Sequence, residues 1–492
     1  MANHDLMLSG PAVWRGVIKT KVSILILKRL KTHAHTKKEM EIQEAQGHGH
    51  LVLVPYPLQG HMTPTLQLAS ILHSKGFSIT IAHAKFKSPK AFDHPDFNFL
   101  PVAENLSEHH IANKDRIAQV SIINTKCEAP LQESLTNLIK QKPQSRVNCI
   151  IYDTVMYCAE AVASNMKLPS IILRTSSASS FIAYCAILNL PLEDCIPLKE
   201  SISQELVPGL HSIRFKDLPA SNYFGDLKDL LNLLGHVSKT KTSSAVLWNS
   251  VDYLEHDSLA QFQQQNEGKH CFSIGPLHGM APTASTSLLT EDTDCITWLD
   301  KQATNSVIYV SLGSVATMEE RELVEMAWGL ANSEQPFLWV VRPGLVRGSA
   351  EWIEHLPEGY LETIQGRGCI VKWAPQKEVL AHGAVGGFLS HCGWNSTLES
   401  ICEGVPMICR PAFGDQKVNS RYISYVWKMG IALENGFNRN IETAIRRLMQ
   451  DPEGQQMRQK AAALKEKVKL SIDKGGTSYN SVNNLVELIL SL

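Results

Sequence analysis

From His50 onward the chain alternates between short, nearly unbroken apolar runs and longer stretches in which apolar residues recur at helical spacing. This alternation predicts parallel strands joined by crossover helices, because a strand covered on both faces is apolar throughout while a surface helix is apolar on one side. The first series reads as a strand over His50–Pro55, a helix over Thr65–Ser74 and, after a stop at Gly76, a strand over Phe77–His83. It continues with a strand at Cys149–Tyr152, a helix at Ala159–Asn165 and a strand at Ser170–Leu173 introduced by Pro169. After Gly275-Pro276 the stretch His278–Thr293, rich in Ala, Thr, Ser, Met and Pro, reads as a linker. A second series follows: strands at Ser306–Ser311, Pro336–Val341, Gly387–His391 and Val405–Cys409, with helices at Glu319–Ala331 and Thr397–Glu403. Helical stretches at Ile441–Met449, Glu453–Ser471 and Ser481–Leu490 close the chain, the last apolar enough to need a surface to cover it.

At 492 residues the chain exceeds one compact core, and two α/β series predict two doubly wound domains facing each other across a cleft. The expected division is a first domain over residues 47–277, a linker over 278–293, a second domain over 294–472 and a terminal segment over 473–492 that packs back on the first domain. Residues 1–46 stand apart and read as a disordered extension. Between Asp5 and Glu39 they carry Arg15, Lys19, Lys21, Lys28, Arg29, Lys31, Lys37 and Lys38 and no acidic residue. A basic, acid-poor leader fits organellar targeting, but its poverty in serine favours an extension without function, and Met40 opens a natural short leader to the first strand.

Composition excludes several classes. With 44% hydrophobic residues, 19% charged residues and a formal net charge of -1, the chain offers no field for a polyanion, so nucleic acid is not an expected partner. No apolar run reaches the roughly 18 residues of a membrane span, the longest being strand-like stretches such as Val22–Leu27 and Leu51–Pro55. The 11 cysteines are scattered and never spaced C-x-x-C, which predicts free thiols in a reducing compartment.

The densest candidate chemistry lies between Trp373 and Gln416. The strand ending at His391 meets Gly393 and then a helix beginning near Asn395-Ser396. A helix N-terminus offers free N–H groups and the positive end of the dipole, which suits a diphosphate. Gly393 permits close approach of a ligand, and His391, Asn395 and Ser396 can add hydrogen bonds. Glu399, one turn deeper, suits a ribose diol, and Trp373 offers a face for a base. Taken singly, each has an ordinary structural reading: an N-cap, a solvated helix residue, a core tryptophan. A second segment, Pro55-Tyr56-Pro57-Leu58-Gln59-Gly60-His61-Met62-Thr63-Pro64, places His61 just past the first strand, where ligands bind in open α/β sheets.

Together these residues resemble the signature box of the plant UDP-glycosyltransferases, from Trp373-Ala374-Pro375-Gln376 through His391-Cys392-Gly393-Trp394-Asn395-Ser396, Glu399 and Gly404-Val405-Pro406 to Asp415-Gln416. The resemblance extends to Tyr309-Val310-Ser311-Leu312-Gly313-Ser314 and Gly475-Gly476-Thr477-Ser478. It implies a GT-B fold of two Rossmann-like domains and a UDP-sugar as co-substrate, with no cofactor. It implies that Trp373, Ala374 and Gln376 meet the uracil and Glu399 the ribose, that Ser314, His391, Gly393, Asn395 and Ser396 surround the diphosphate, and that Trp394, Asp415 and Gln416 address the hexose. Gln416 at the end of the box favours glucose. It further implies that His61 is the general base, oriented by Asp153, with Gly60 and Thr175 close to acceptor and sugar, and that configuration inverts. The leaving group would be stabilised without a metal, no D-x-D triplet or His/carboxylate cluster standing near the box. Leu433-Glu434-Asn435-Gly436 and the C-terminal run resemble the subgroup that glucosylates cytokinins, benzoxazinoids, diterpenoid glycosides and small acids. The acceptor, a small lipophilic metabolite attacked through a hydroxyl, a nitrogen or a carboxylate, would lie against Leu173–Tyr184 and the regions Glu104–Thr125 and Leu218–Leu234. The family further implies a monomer, and the cysteine pattern fits a cytoplasmic location.

Three rivals are weaker. A nicotinamide oxidoreductase would need G-x-G-x-x-G after the first strand and an acidic residue after the second, where Gly60 stands alone and His83-Ala84-Lys85 is found. A catalytically silent UDP-sugar-binding protein has no use for His61 with Asp153. A scaffolding protein has no use for so many polar residues at ligand positions.

Overall fold

The computed structural model describes residues 48–103, 106–107, 115–141, 146–190, 198–219, 226–239, 242–282, 286–433 and 439–492. The expectations for residues 1–46, for most of Leu433-Glu434-Asn435-Gly436 and for parts of the acceptor regions and linker lie outside them.

Two all-parallel sheets carry the fold. The first contains β1 (His50–Val54), β2 (Ser78–Ala84), β3 (Asn98–Val102), β4 (Val147–Asp153), β5 (Ser170–Arg174), β6 (Ala245–Trp248) and β7 (His270–Ser273), in the order β3-β2-β1-β4-β5-β6-β7. The second contains β8 (Val307–Ser311), β9 (Phe337–Val340), β10 (Gly368–Val371), β11 (Val385–Ser390), β12 (Met407–Cys409) and β13 (Gly430–Ala432), in the order β10-β9-β8-β11-β12-β13. Each sheet winds outward in one direction from its first strand and then restarts on the other side. The reversal falls between β1 and β4 in one sheet and between β8 and β11 in the other. Loops leaving neighbouring strands diverge at such a point and open a crevice beyond the strand ends, where α/β proteins bind ligands.

The central strands are buried along their whole length, as continuous apolar runs require. Val52, Ile150, Val246 and Trp248 face one core of the first sheet, and Leu51, Leu53, Ile151 and Leu173 face the other. The C-terminal helix Thr477–Ser491 places Val482, Leu485 and Ile489 in that second core, covering the first sheet from the far end of the chain. Each buried side chain of this size contributes roughly 1.5–3 kcal/mol.

The helix expected at Thr65 begins at Gln59 and takes in His61 and Pro64. Proline lacks the N–H that would bond the carbonyl four residues earlier, and this is the reason for expecting the helix to start after it. Here the freed Gly60 carbonyl accepts a hydrogen bond from Asn395 Nδ2 at 2.8 Å, on the opposite domain. His61 is therefore held in a helical first turn.

Candidate active site

A cavity of about 1100 Å³ lies between the two sheets and is lined from both. Every residue assigned to ligand contact from the sequence borders it except Asp153, which is fully buried behind His61.

On the N-terminal side, His61 Nδ1 lies 2.7 Å from Asp153 Oδ2 and 3.0 Å from Thr175 Oγ1, and the threonine hydroxyl donates to Asp153 Oδ2 at 3.2 Å. Asp153 Oδ1 accepts from the Val155 N–H at 3.0 Å, fixing the carboxylate at the end of β4. A carboxylate at Nδ1 makes that nitrogen the donor, so Nε2 carries the lone pair. The His61 side chain keeps 28% of its surface exposed, and the residue borders the cavity. Burial pulls the imidazole towards its neutral form, but the charge and hydrogen bond of Asp153, with help from Asp415, outweigh it and raise the pKa above the ordinary 6.5. Thr175, expected near the sugar, here braces this pair.

On the C-terminal side, β11 ends at Ser390 and the helix Trp394–Glu403 begins at the next turn, with Cys392 at φ 62°. Gly313, at φ 73° in the loop after β8, and Gly393 both flank the His391 ring, and a Cβ at either would lie 2.5 Å from His391 Nε2. The need for glycine at 393 is thus set first by His391. Burial pushes the His391 pKa down to about 4, so the ring is neutral and offers one N–H. Ser314, next to Gly313, borders the same space.

Gln376 borders the cavity close to Trp373 in the chain. Its Oε1 accepts from Tyr309 Oη at 3.2 Å, while its Nε2 donates to Ser396 Oγ at 2.9 Å and to Glu399 Oε2 at 2.6 Å. Its carboxamide thus holds three neighbours together. Burial raises the Glu399 carboxyl to about 7, against the opposing pull of Gln376 and Lys377. Trp373 lines the cavity beside the buried Ala374, with its indole N–H on Ser287 Oγ at 3.0 Å. Ser287 belongs to the linker, whose Thr286 and Leu288 are bonded to Gln59.

Four further residues of the box have partners within the protein. The Trp394 indole N–H donates to the Asn249 carbonyl at 2.7 Å, leaving its backbone N–H, at the first helical position, as the group available to a ligand. The Asn395 carboxamide is engaged at both ends, donating to Gly60 and accepting from Asn249 Nδ2 at 3.3 Å, so it bridges the domains. Gln416 Oε1 accepts from the N–H groups of Ala412 and Phe413 at 2.9 and 3.2 Å, and the residue borders the cavity. Asp415 accepts from Asn419 Nδ2 at 3.2 Å, and burial raises its carboxyl.

Asn249 and Asn419 were not singled out in the sequence. Asn419 Nδ2 holds the Cys392 carbonyl at 3.0 Å while its Oδ1 accepts from Ser177 Oγ at 3.0 Å, tying the helix N-terminal turn to the other domain. The only signal for Asn249 is its place directly after β6. An Asp292-Thr293-Asp294 triplet does approach Trp373, through the Asp292 N–H on the Trp373 carbonyl. Asp292 Oδ1 there accepts from the Asp294 N–H at 3.0 Å as a local turn bond, and no group of three or more His, Cys, Asp or Glu among the described residues is placed to hold a metal ion. No disulfide joins any of the described cysteines, and no described helix is long and apolar enough to cross a membrane.

The arrangement can bind a nucleoside diphosphate on one wall and deprotonate a hydroxyl on the other. The family profile described as UDP-glucoronosyl and UDP-glucosyl transferase matches residues 286–463. UDP-glycosyltransferase 76B1 of Arabidopsis thaliana is 46% identical over 90% of this chain and 98% of its own length. A flavonol 3-O-glucosyltransferase of the same plant is 48% identical over 90% of this chain and 97% of its own. Among solved structures, a UDP-glucose: anthocyanidin 3-O-glucosyltransferase in complex with UDP superposes with a TM-score of 0.78 at 25% identity, over 91% of this chain and 100% of that one. Phytolacca americana UGT2, complexed with UDP-2fluoro-glucose and pterostilbene, does so with a TM-score of 0.74 at 26% identity, over 89% and 99%. With this identity across nine-tenths of its length and two parallel-sheet domains in the GT-B arrangement, the chain belongs to the plant UDP-glycosyltransferase family.

Proposed function

We propose that the protein transfers glucose from UDP-glucose to a hydroxyl of a small lipophilic metabolite, with inversion at the anomeric carbon. The observation that carries this reading is the 2.7 Å contact of His61 Nδ1 with the buried Asp153, which frees Nε2 as a base on the same cavity that the Trp394 helix N-terminus and Glu399 border.

In this reading the acceptor hydroxyl gives its proton to His61 Nε2 as its oxygen bonds to the anomeric carbon. The bond from that carbon to the UDP oxygen breaks, and its electron pair leaves with the diphosphate. Asp153, braced by Thr175, stabilises the imidazolium that forms. The backbone N–H groups at the start of the Trp394–Glu403 helix, with neutral His391 and Ser314, take up the charge on the leaving group, and no metal is required. Trp373 supports the uracil and Glu399 the ribose; Asp415 and Gln416 Nε2 address the hexose hydroxyls. The glucose assignment is supported by Gln416 and by relatives named as glucosyltransferases. A nitrogen or carboxylate acceptor fits the same geometry and would depend less on His61.

The test is mass spectrometry of plant phenols, terpenoid alcohols, cytokinins and small acids incubated with UDP-glucose and EDTA, with His61→Ala in parallel. Addition of one hexose that needs His61 supports the reading. UDP binding without product from any sugar nucleotide would leave a silent UDP-sugar-binding protein.

A further inference from the structure

Arg174 ends β5, directly before the Thr175 that braces His61, and is only 2% exposed. Its guanidinium carbon lies 4.0 Å from the ring centre of Phe181, 5.1 Å from that of Trp248 and 5.9 Å from that of Phe262. Nη2 donates to the Val237 carbonyl at 2.9 Å, and Nε has no partner among the described residues. No ion pair joins it to a described carboxylate. The groups acting on it electrostatically are Cys185, Tyr152, Cys271 and, last, Asp153. Burial lowers its pKa to about 10, which leaves it a cation at neutral pH.

A buried cation is costly unless a counter-charge or a full set of hydrogen bonds offsets its lost hydration. The aromatic faces recover part of that cost. One carbonyl matches one of several N–H donors in the guanidinium fork, which is shaped to take a carboxylate. Arg174, Phe181 and Val237 all border the central cavity, alongside the apolar wall of Leu230, Leu233 and Leu234.

We propose that Arg174 recognises a carboxylate on the acceptor, so that the preferred acceptor is a small hydroxy-carboxylate with its hydroxyl at His61 and its carboxylate against the guanidinium. The inference rests on the transfer reaction proposed above. The carboxylate takes no part in the chemistry: the hydroxyl proton goes to His61, the new bond forms at the hydroxyl oxygen and UDP leaves. The leucine wall covers the carbon skeleton between the two polar ends.

The test measures KM and kcat with UDP-glucose for a series of hydroxy-carboxylates, each beside its methyl ester, in the wild type, Arg174→Met and Arg174→Lys. The expected result is a wild-type KM for at least one acid roughly tenfold or more below that of its ester, in line with a charge-assisted contact. Arg174→Met should raise the KM of that acid by a similar factor while leaving the ester's KM and UDP affinity unchanged, and Arg174→Lys should restore part of the preference. Equal effects on acid and ester, or esters preferred throughout by the wild type, would overturn the inference while leaving the transfer reaction standing. Absence of product from every acid and every ester would overturn both. Should Arg174→Met not fold, the wild-type ratio of acid to ester and its change in Arg174→Lys decide the matter.

Discussion

The two walls of the cavity are built on the same winding and held in opposite ways. Both sheets present chemistry on loops after the two strands that flank the reversal, β1 and β4 in one, β8 and β11 in the other, and add residues after β5, β10 and β12. On the C-terminal wall the polar side chains hold one another: Tyr309, Gln376, Ser396 and Glu399 form one chain of hydrogen bonds, and Gln416 is tied to its own loop. On the N-terminal wall the cluster of His61, Asp153 and Thr175 and the buried cation Arg174 stand beside an apolar stretch that includes Phe181, Leu230, Leu233 and Leu234, with Asp115, Arg116, Gln59 and Gln67 also at the border. A mutually fixed polar wall recognises one ligand class, since any mispositioned group leaves buried donors unpaired. A wall with a larger apolar share selects its ligand more by shape, with its polar groups setting orientation.

If the walls divide the labour in this way, mutations on each should move different quantities. The largest effect is expected from His61→Ala, which should slow transfer to a weakly acidic hydroxyl by about 10²–10⁴-fold while calorimetry finds UDP affinity unchanged; a large loss of UDP affinity would erase the division. Asp153→Asn should slow transfer by roughly a hundredfold, as a base in poor orientation does, and should also move the acid limb of the pH–rate profile. Asp153 raises the His61 pKa, and only neutral His61 accepts a proton, so the wild-type rate falls as pH drops through a value above 6.5. Removing the carboxylate lowers that pKa and shifts the limb to lower pH; a limb that stays in place would take His61 out of the rate profile.

Effects on the other wall should be smaller and appear in binding. Glu399→Gln should weaken UDP by about tenfold, the scale of one hydrogen bond to a charged group. The ionised carboxylate is the better acceptor for ribose hydroxyls, and its pKa of about 7 means that UDP affinity should rise with pH through that value. The variant should show no such rise, and a wild-type affinity flat with pH would remove Glu399 from the ribose. Smallest is Gln416→His, expected to weaken glucose transfer by a few-fold and UDP binding less; an unchanged rate with UDP-glucose would show that Nε2 does not meet the sugar.

Legibility followed the same line. Strands buried on both faces, such as Leu51–Val54 and Val307–Ser311, announce themselves as apolar runs, and each was expected within about two residues of where it lies. The strands not singled out are short or broken in pattern: β3 contains Pro101 and an exposed Asn98, while β6, β7 and β10 span four residues each and β13 three. The helix Arg116–Gln141 carries Pro130 in its interior, which hides its period.

By itself the sequence determined the two α/β series, the family and the stretch from Trp373 to Gln416, because a strand, a glycine turn and a helix N-terminus are contiguous in the chain and their groups are positioned by local backbone geometry. Tertiary structure alone decided how those side chains are spent: Gln376 on Glu399, Asn395 on the carbonyl that Pro64 frees, Thr175 on His61. It alone placed Arg174 among Phe181, Trp248 and Phe262 with no described carboxylate paired to it. These contacts join segments tens to hundreds of residues apart, brought together by parallel sheets whose register leaves no mark at any single position.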